Sequence, residues 1–223
     1  MKTLIRIYAV ADIHGKADRL AAIEKTVIEL KPDLLILPGD ITGFFSKKQT
    51  LKKLGNLPVE TLAVRGNSDI LMSDRDFLSF GIVPLHLSQI RKDGIKIVGI
   101  SGALPLPFHT RIRFKEHTLE KDLMALVDAG TILVVHSPPY GIRDEVAGAI
   151  HAGSHLIRNV VDRRRPKMVL CGHIHERAGH STAGHTTVVN CSYNKSSSGA
   201  LIEWDKKGFI AHVKNIQQQI NLI

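Results

Sequence analysis

Five apolar, strand-like runs recur along this chain, and each breaks off at side chains able to bind a metal. Thr3 to Ala11 runs into Asp12 and His14, Leu34 to Leu37 into Asp40, and Val59 to Val64 into Asn67. Ile132 to Val135 ends at His136, and Met168 to Cys171 ends at His173 and His175. Largely apolar runs of this length suit strands covered on both faces, as in parallel sheets. Between the first three runs the apolar spacing becomes helical. Lys16 to Leu30 carries Leu20, Ile23, Val27 and Leu30 and stops before Lys31-Pro32, and Ser46 to Leu54 is followed by Gly55-Asn56. Strand, helix, strand, helix, strand predicts parallel βαβ units, with function at the carboxyl ends of the strands.

The middle of the chain changes character. Val83 to Arg91 and Ile95 to Ile100 flank Lys92-Asp93-Gly94, a hairpin signal. Pro105 to Phe114 reads as an irregular loop on a cleft rim, followed by a helix from Glu116 to Asp128. Gly141 to Gly153 reads as a loop with a helical turn, and Ser154 as the cap of a helix running to Arg164. His185 to Cys191, Ala200 to Trp204 and Phe209 to Val213 are further expected strands. No repeat, low-complexity stretch or Pro/Gly linker interrupts the 223 residues, which predicts one domain over 1–223.

No apolar run is long enough to span a bilayer, and the apolar N-terminal stretch leads straight into Asp12 without a small-residue cleavage site. That reads as a first core strand and predicts a cytoplasmic protein without membrane partners. Cys171 and Cys191 both lie in apolar segments and are expected to be buried free thiols, which suits a reducing compartment. A net charge of +9 favours anionic ligands, but the basic residues form separate clusters such as Lys47-Lys48 and Arg163-Arg164-Arg165. Nucleic acid is therefore an open partner and not the favoured one.

Residues two apart in an extended segment point the same way, so Asp12 and His14 can share one metal. A carboxylate has two oxygens, so Asp40 can bridge two ions, and Asn67 adds a neutral carbonyl oxygen. Mixed Asp, Asn and His ligation suits Mn, Fe, Zn, Ni or Co better than Mg or Ca. Gly15, Gly39, Gly66 and Gly172 beside the donors allow tight turns. Short fragments of this kind arise by chance, and it is their joint order that carries weight.

In that order (VADIHG, LPGDITG, RGNSD, VVHSPP, CGHIHE) the chain resembles the calcineurin-like metallophosphoesterase superfamily. The segment from His136 to Glu176 further resembles the compact bacterial and archaeal Icc-related phosphoesterases. The resemblance implies an α/β fold, a four-layer αββα sandwich of two mixed sheets flanked by helices. It implies one metal held by Asp12, His14, Asp40 and His175, and a second by Asp40, Asn67, His136 and His173. A hydroxide bridging the two ions would attack phosphorus in line, which makes a phosphodiesterase the favoured activity. The substrate is then a phosphate ester, with nucleotides included, and a homodimer is compatible with the resemblance.

The family commonly places His directly after the Asn, paired with the following acidic residue. Here Ser68 and Asp69 stand there. Both are candidate catalytic residues together with Asp40 and Asn67, but a serine hydroxyl is a poor acid. The expectation is a preference for diesters with good leaving groups, or recruitment of another His from the loops, with His109 the candidate. Arg65, His109 and Arg111 are candidate substrate contacts, because arginine suits phosphate. The rival readings are a non-catalytic scaffold of the same fold, disfavoured because all seven ligand positions are filled, and a small nuclease suggested by the basic charge.

Overall fold

Alternation along each strand decides which side chains face inward. In β1 (Leu4–Ala9), Ile5, Ile7 and Ala9 point one way and Tyr8 the other, and all four are buried. The computed structural model describes residues 4–43, 46–69, 71–102, 113–148, 150–205 and 210–217. The chain continues through α1 (Ala17–Leu30), β2 (Leu34–Pro38), α2 (Lys47–Gly55), β3 (Glu60–Val64), α3 (Asp74–Leu78) and β4 (Val83–Pro84). Then come β5 (Ser88–Lys92), β6 (Ile95–Ile100), α4 (Arg113–Leu126), β7 (Thr131–Val135), β8 (Glu145–Val146), β9 (Ile150–His151) and α5 (His155–Arg164). β10 (Met168–Cys171), β11 (Gly179–Ala183), β12 (Thr186–Asn190), β13 (Ser197–Asp205) and β14 (Ile210–Gln217) complete it.

Two six-stranded mixed sheets result, ordered β14-β13-β1-β2-β3-β4 and β11-β12-β10-β7-β6-β5. β1, β2, β3 and β4 pair parallel in the first, and β6, β7, β10 and β12 in the second. Between the sheets lies the central core, with Ile7, Ile36 and Leu62 from one side and Ile97, Ile132 and Leu170 from the other. On the outer face of the first sheet, Tyr8, Leu35 and Ala63 pack against Ile23 and Val27 of α1, Leu51 of α2 and Phe77 of α3. On the outer face of the second, Val98, Leu133 and Val169 pack against Leu123 of α4 and Val160 of α5. This is the four-layer αββα sandwich that the resemblance implies, with the layers set by period-two burial. Cys171 belongs to the outer cluster and Cys191 to the inner one; both are buried free thiols.

Helix ends follow local chemistry. α1 stops at Lys31, left-handed at φ 47 with its N–H on the Val27 carbonyl, and Pro32 follows. The Ser154 hydroxyl accepts the Ile157 N–H at 3.1 Å, as expected for the cap of α5.

Three expectations need correction. Val83 to Arg91 is not one strand, because β4 pairs with β3 in the first sheet and β5 with β6 in the second. The chain changes sheets at Leu87, whose φ is 47. Residues 141–153 hold the two-stranded β8–β9 hairpin and not a helical turn. Arg113 and Phe114, read as loop, begin α4. The strand β11 and the short helix α3 were not anticipated. No helix among the described residues is long and apolar enough to cross a membrane.

Candidate metal centre

All seven candidate donors follow the carboxyl ends of parallel strands. Asp12 and His14 follow β1, Asp40 follows β2, Asn67 follows β3, His136 follows β7, and His173 and His175 follow β10. The strand ends are tied to one another by backbone. The Asp12 N–H donates to Gly39 O at 3.1 Å and the His14 N–H to Asp40 O at 2.9 Å. Beyond the sheets proper, Ala11 bridges Ser192, with the Ala11 N–H on Cys191 O and the Tyr193 N–H on Ala11 O, both at 3.0 Å. That bridge joins the two sheets directly beside Asp12.

The backbone here is unusual. Asp12, His14, Asp40 and His173 have φ of 60, 52, 51 and 73, the left-handed region that L side chains avoid. Each such residue costs on the order of 1 kcal/mol or more and persists only where its surroundings hold it. Close approach explains the flanking glycine. A Cβ on Gly39 would sit 2.6 Å from His136 Nδ1 and 2.8 Å from Gly66 Cα.

The side chains converge as two groups. Asp12, His14 and His175 have donor atoms all within 4.8 Å of one another, with His175 Nε2 lying 3.4 Å from Asp12 Oδ1. The Asn67 amide oxygen stands 2.9 Å from His136 Nε2 and 3.0 Å from His173 Nδ1. Asp40 lies between the groups, with Oδ2 3.9 Å from His14 Nδ1 and Oδ1 3.4 Å from His136 Nε2. His136 Nδ1 is 2.9 Å from the Pro38 carbonyl. A carbonyl can only accept, so Nδ1 donates in that contact, and the ring is turned so that Nε2 faces Asn67 and Asp40 in the site.

The electrostatics follow the same split. Burial would raise Asp12, but the His175 contact, the nearby His136 and the Ser192 hydroxyl outweigh it and hold its carboxyl near 2. Burial lowers His173, with His136 acting in the same direction, and burial lowers His14 against the pull of Asp40 and Asp12. His175 is the exception. Its hydrogen bond with Asp12 raises it, against the effect of burial. Among the described residues the centre is therefore a buried, ionised carboxylate among imidazoles, of which His14 and His173 are disposed to be neutral.

The sequence profile of the family described as calcineurin-like phosphoesterase matches residues 5–177, which include every donor. The chain belongs to that family. It is similar to UPF0046 protein T07D4.2 of Caenorhabditis elegans, 39% identical over 136 residues covering 58% of this chain and 33% of the relative. It is 28% identical to the human metallophosphoesterase domain-containing protein 1 over 221 residues, covering 84% of this chain and 65% of that protein. The chain thus spans about a third and about two thirds of these curated relatives. Among solved structures it shares its fold with a dimetal phosphatase from Danio rerio, at TM-score 0.63 and 11% identity, over 97% of this chain and 99% of that one.

Within this calcineurin-like frame the other expected site residues separate. The Ser68 N–H donates to Asp40 Oδ1 at 2.8 Å, and its hydroxyl turns to Thr42 O at 3.4 Å. The buried Asp69 carboxylate accepts the N–H groups of Ile41, Thr42 and Gly66 and the Thr42 hydroxyl, all at 2.9–3.2 Å. It clamps the loop carrying Asp40 to the loop carrying Asn67. Arg65 turns away from the cradle, with Nη1 donating to Met72 O at 2.8 Å and Nε 3.7 Å from Asp74. His109 and Arg111, with residues 105–112 of the loop expected on the cleft rim, lie outside the described residues.

Several residues beside the centre escaped the sequence reading. Arg19 Nη1 donates to the Asp12 carbonyl, and its Cζ lies 5.0 Å from the Tyr193 ring centre. Asn190 Nδ2 donates to Ile174 O at 2.8 Å and Asn194 Nδ2 to His175 O at 2.7 Å, which together fix the turn that presents His175. Two asparagines spaced around VVNCSYN, directly after an apolar run, were the available signal, because Asn favours irregular backbone at strand ends.

Proposed function

We propose that this calcineurin-like phosphoesterase is a dinuclear-metal-dependent phosphodiesterase. The observation that carries the reading is Asp40, whose two oxygens face separate groups of donors. The donor set fits two divalent transition metals, with Asp12, His14 and His175 sharing one with Asp40, and Asn67, His136 and His173 sharing the other. Bound there, the ions supply a nucleophile from water at neutral pH and neutralise charge on the phosphoryl oxygens. The chain's own contribution is pre-orientation. Pro38 fixes the His136 ring, the Ser68 N–H steadies Asp40, and Asn190 with Asn194 steadies the His175 turn.

The diester preference rests on Ser68, whose hydroxyl is turned to Thr42 O and is no acid at neutral pH. Hydrolysis of a bis-aryl phosphate and its mono-aryl counterpart by metal-stripped chain, with Mn, Fe, Co, Ni, Zn or Mg added back, tests the reading. Metal-dependent cleavage favouring the diester supports it; monoester preference overturns the diester part, and no turnover with any metal overturns the whole. If no other group protonates the leaving oxygen, Ser68→His should raise turnover of esters with poor leaving groups by roughly ten-fold or more, since general acid help is worth about 10²–10⁴. An unchanged ratio of alkyl to aryl turnover in that variant would mean that another residue already supplies the proton.

Proton release on metal uptake is a second expectation. A raised His175 holds a proton that a metal must displace, whereas His14 and His173 are lowered and ready. Metal affinity should therefore rise as pH climbs through the His175 range. Calorimetry on the acid side of the His175 transition, in buffers of different ionisation enthalpy, should show proton release on metal binding, largely lost in His175→Asn. Heats independent of the buffer would contradict this.

A further inference from the structure

A second histidine centre lies on the hairpin loop that follows His136 and includes none of the seven candidate donors. Asp144 is fully buried, and its Oδ2 accepts the N–H groups of Gly141 at 3.0 Å and Gly153 at 2.9 Å. Its other oxygen lies 2.7 Å from Nδ1 of His151, whose side chain remains about a third exposed. A carboxylate cannot donate when ionised, so Nδ1 carries a proton and Nε2 is directed away from Asp144. The Tyr140 ring flanks His151 at 5.3 Å and stacks on His155 at 3.9 Å. The imidazole is thus held in one orientation by a buried carboxylate and an aromatic wall.

The hairpin that carries His151 stands beside the turn that carries His175. Glu145 is paired across the hairpin with His151 and forms an ion pair with Arg177, two residues beyond His175. Arg177 Nε also lies 3.4 Å from the Glu145 carbonyl. The loop supporting the hairpin begins directly after His136. The hairpin is therefore tied to two donor segments of the cradle, by chain to His136 and by the Glu145–Arg177 pair to the turn of His175. The groups facing His151 are Asp144, Tyr140 and, across the hairpin, Glu145.

From this placement we propose that His151, oriented by Asp144, donates the leaving-group proton that Ser68 cannot supply. The inference rests on the phosphodiesterase reading. With both ring nitrogens protonated, Nδ1–H is held by Asp144 and Nε2–H faces the ester. As the water-derived oxygen forms its bond to phosphorus, the bond to the leaving oxygen breaks and its electron pair stays on that oxygen. The Nε2 proton passes to that oxygen, an alcohol departs, and the neutral imidazole regains a proton from solvent.

Leaving-group dependence tests this in the metal-reconstituted full chain. Wild type, His151→Gln and Asp144→Asn would be run on methyl phosphodiesters whose leaving groups range from 4-nitrophenol through phenol to a simple alcohol. His151→Gln is expected to lower kcat at least 30-fold more for the alcohol than for 4-nitrophenol, and Asp144→Asn to shift the same slope more weakly. A residue with only a structural role would slow every ester equally, and the exposed His151 can be replaced without touching the core. An unchanged slope in His151→Gln, or wild type confined to aryl esters, would overturn the proposal while leaving the phosphodiesterase reading intact. Wild type inactive on every ester with every metal would overturn both.

Discussion

Asp40→Ala should leave the fold in place and lower metal-dependent hydrolysis on the order of a thousand-fold or more, the scale on which a single buried transition-state contact counts. The expectation follows from position more than from charge. One oxygen of Asp40 looks toward His14 and the other toward His136, so truncation removes a donor from both groups at once. It also strands the Ser68 N–H. Elemental analysis of the purified variant should show fewer than two metals per chain, with the shortfall restored by no single added ion. Asp40→Asn keeps one carbonyl oxygen and should retain more metal than Asp40→Ala. Full occupancy and activity in Asp40→Ala would remove the central support of the dinuclear reading.

Asp69→Ala should act through stability. Its carboxylate satisfies three buried backbone N–H groups and one hydroxyl, and each buried donor left without a partner costs about 1–3 kcal/mol. A loss of about 3–5 kcal/mol is expected once local relaxation is allowed. For a chain of this size that lowers Tm by roughly 6–20 °C, readable by calorimetry. Because Asp69 clamps the Asp40 loop to the Asn67 loop, metal affinity should fall alongside Tm. Asp69→Asn, which retains one acceptor, should fall between. A variant with wild-type Tm would show that the two loops hold their geometry without the clamp.

The layers and the convergence of the candidate donors were legible for one shared reason. Strands buried on both faces read as largely apolar runs, and polar donors end those runs where the chain leaves the sheet. Ser154 was equally legible, because a cap is a local event. The change of sheets at Leu87 was not, since Val83 to Arg91 stays strand-like while its partners switch, and partners are not local. The β8–β9 hairpin is two residues per strand, too short to set a period. Arg65 misled because phosphate affinity is a property of the residue type, whereas its direction is set by Met72 and Asp74. The clamp formed by Asp69 hid behind a family position usually discussed for chemistry.

The bridge between Ala11 and Ser192 bears on what the motifs by themselves are worth. Every donor has been made by residue 175, and the family match ends at 177. The parts that close the centre come later, with Asn190 under the first turn of the GHIH segment, Asn194 on the His175 carbonyl and Tyr193 paired with Ala11. A chain ending after its last motif would own every ligand and lack the clasp. Contacts some 180 positions apart in sequence must form before the cradle has its shape. Possession of the seven residues is therefore not yet possession of the site.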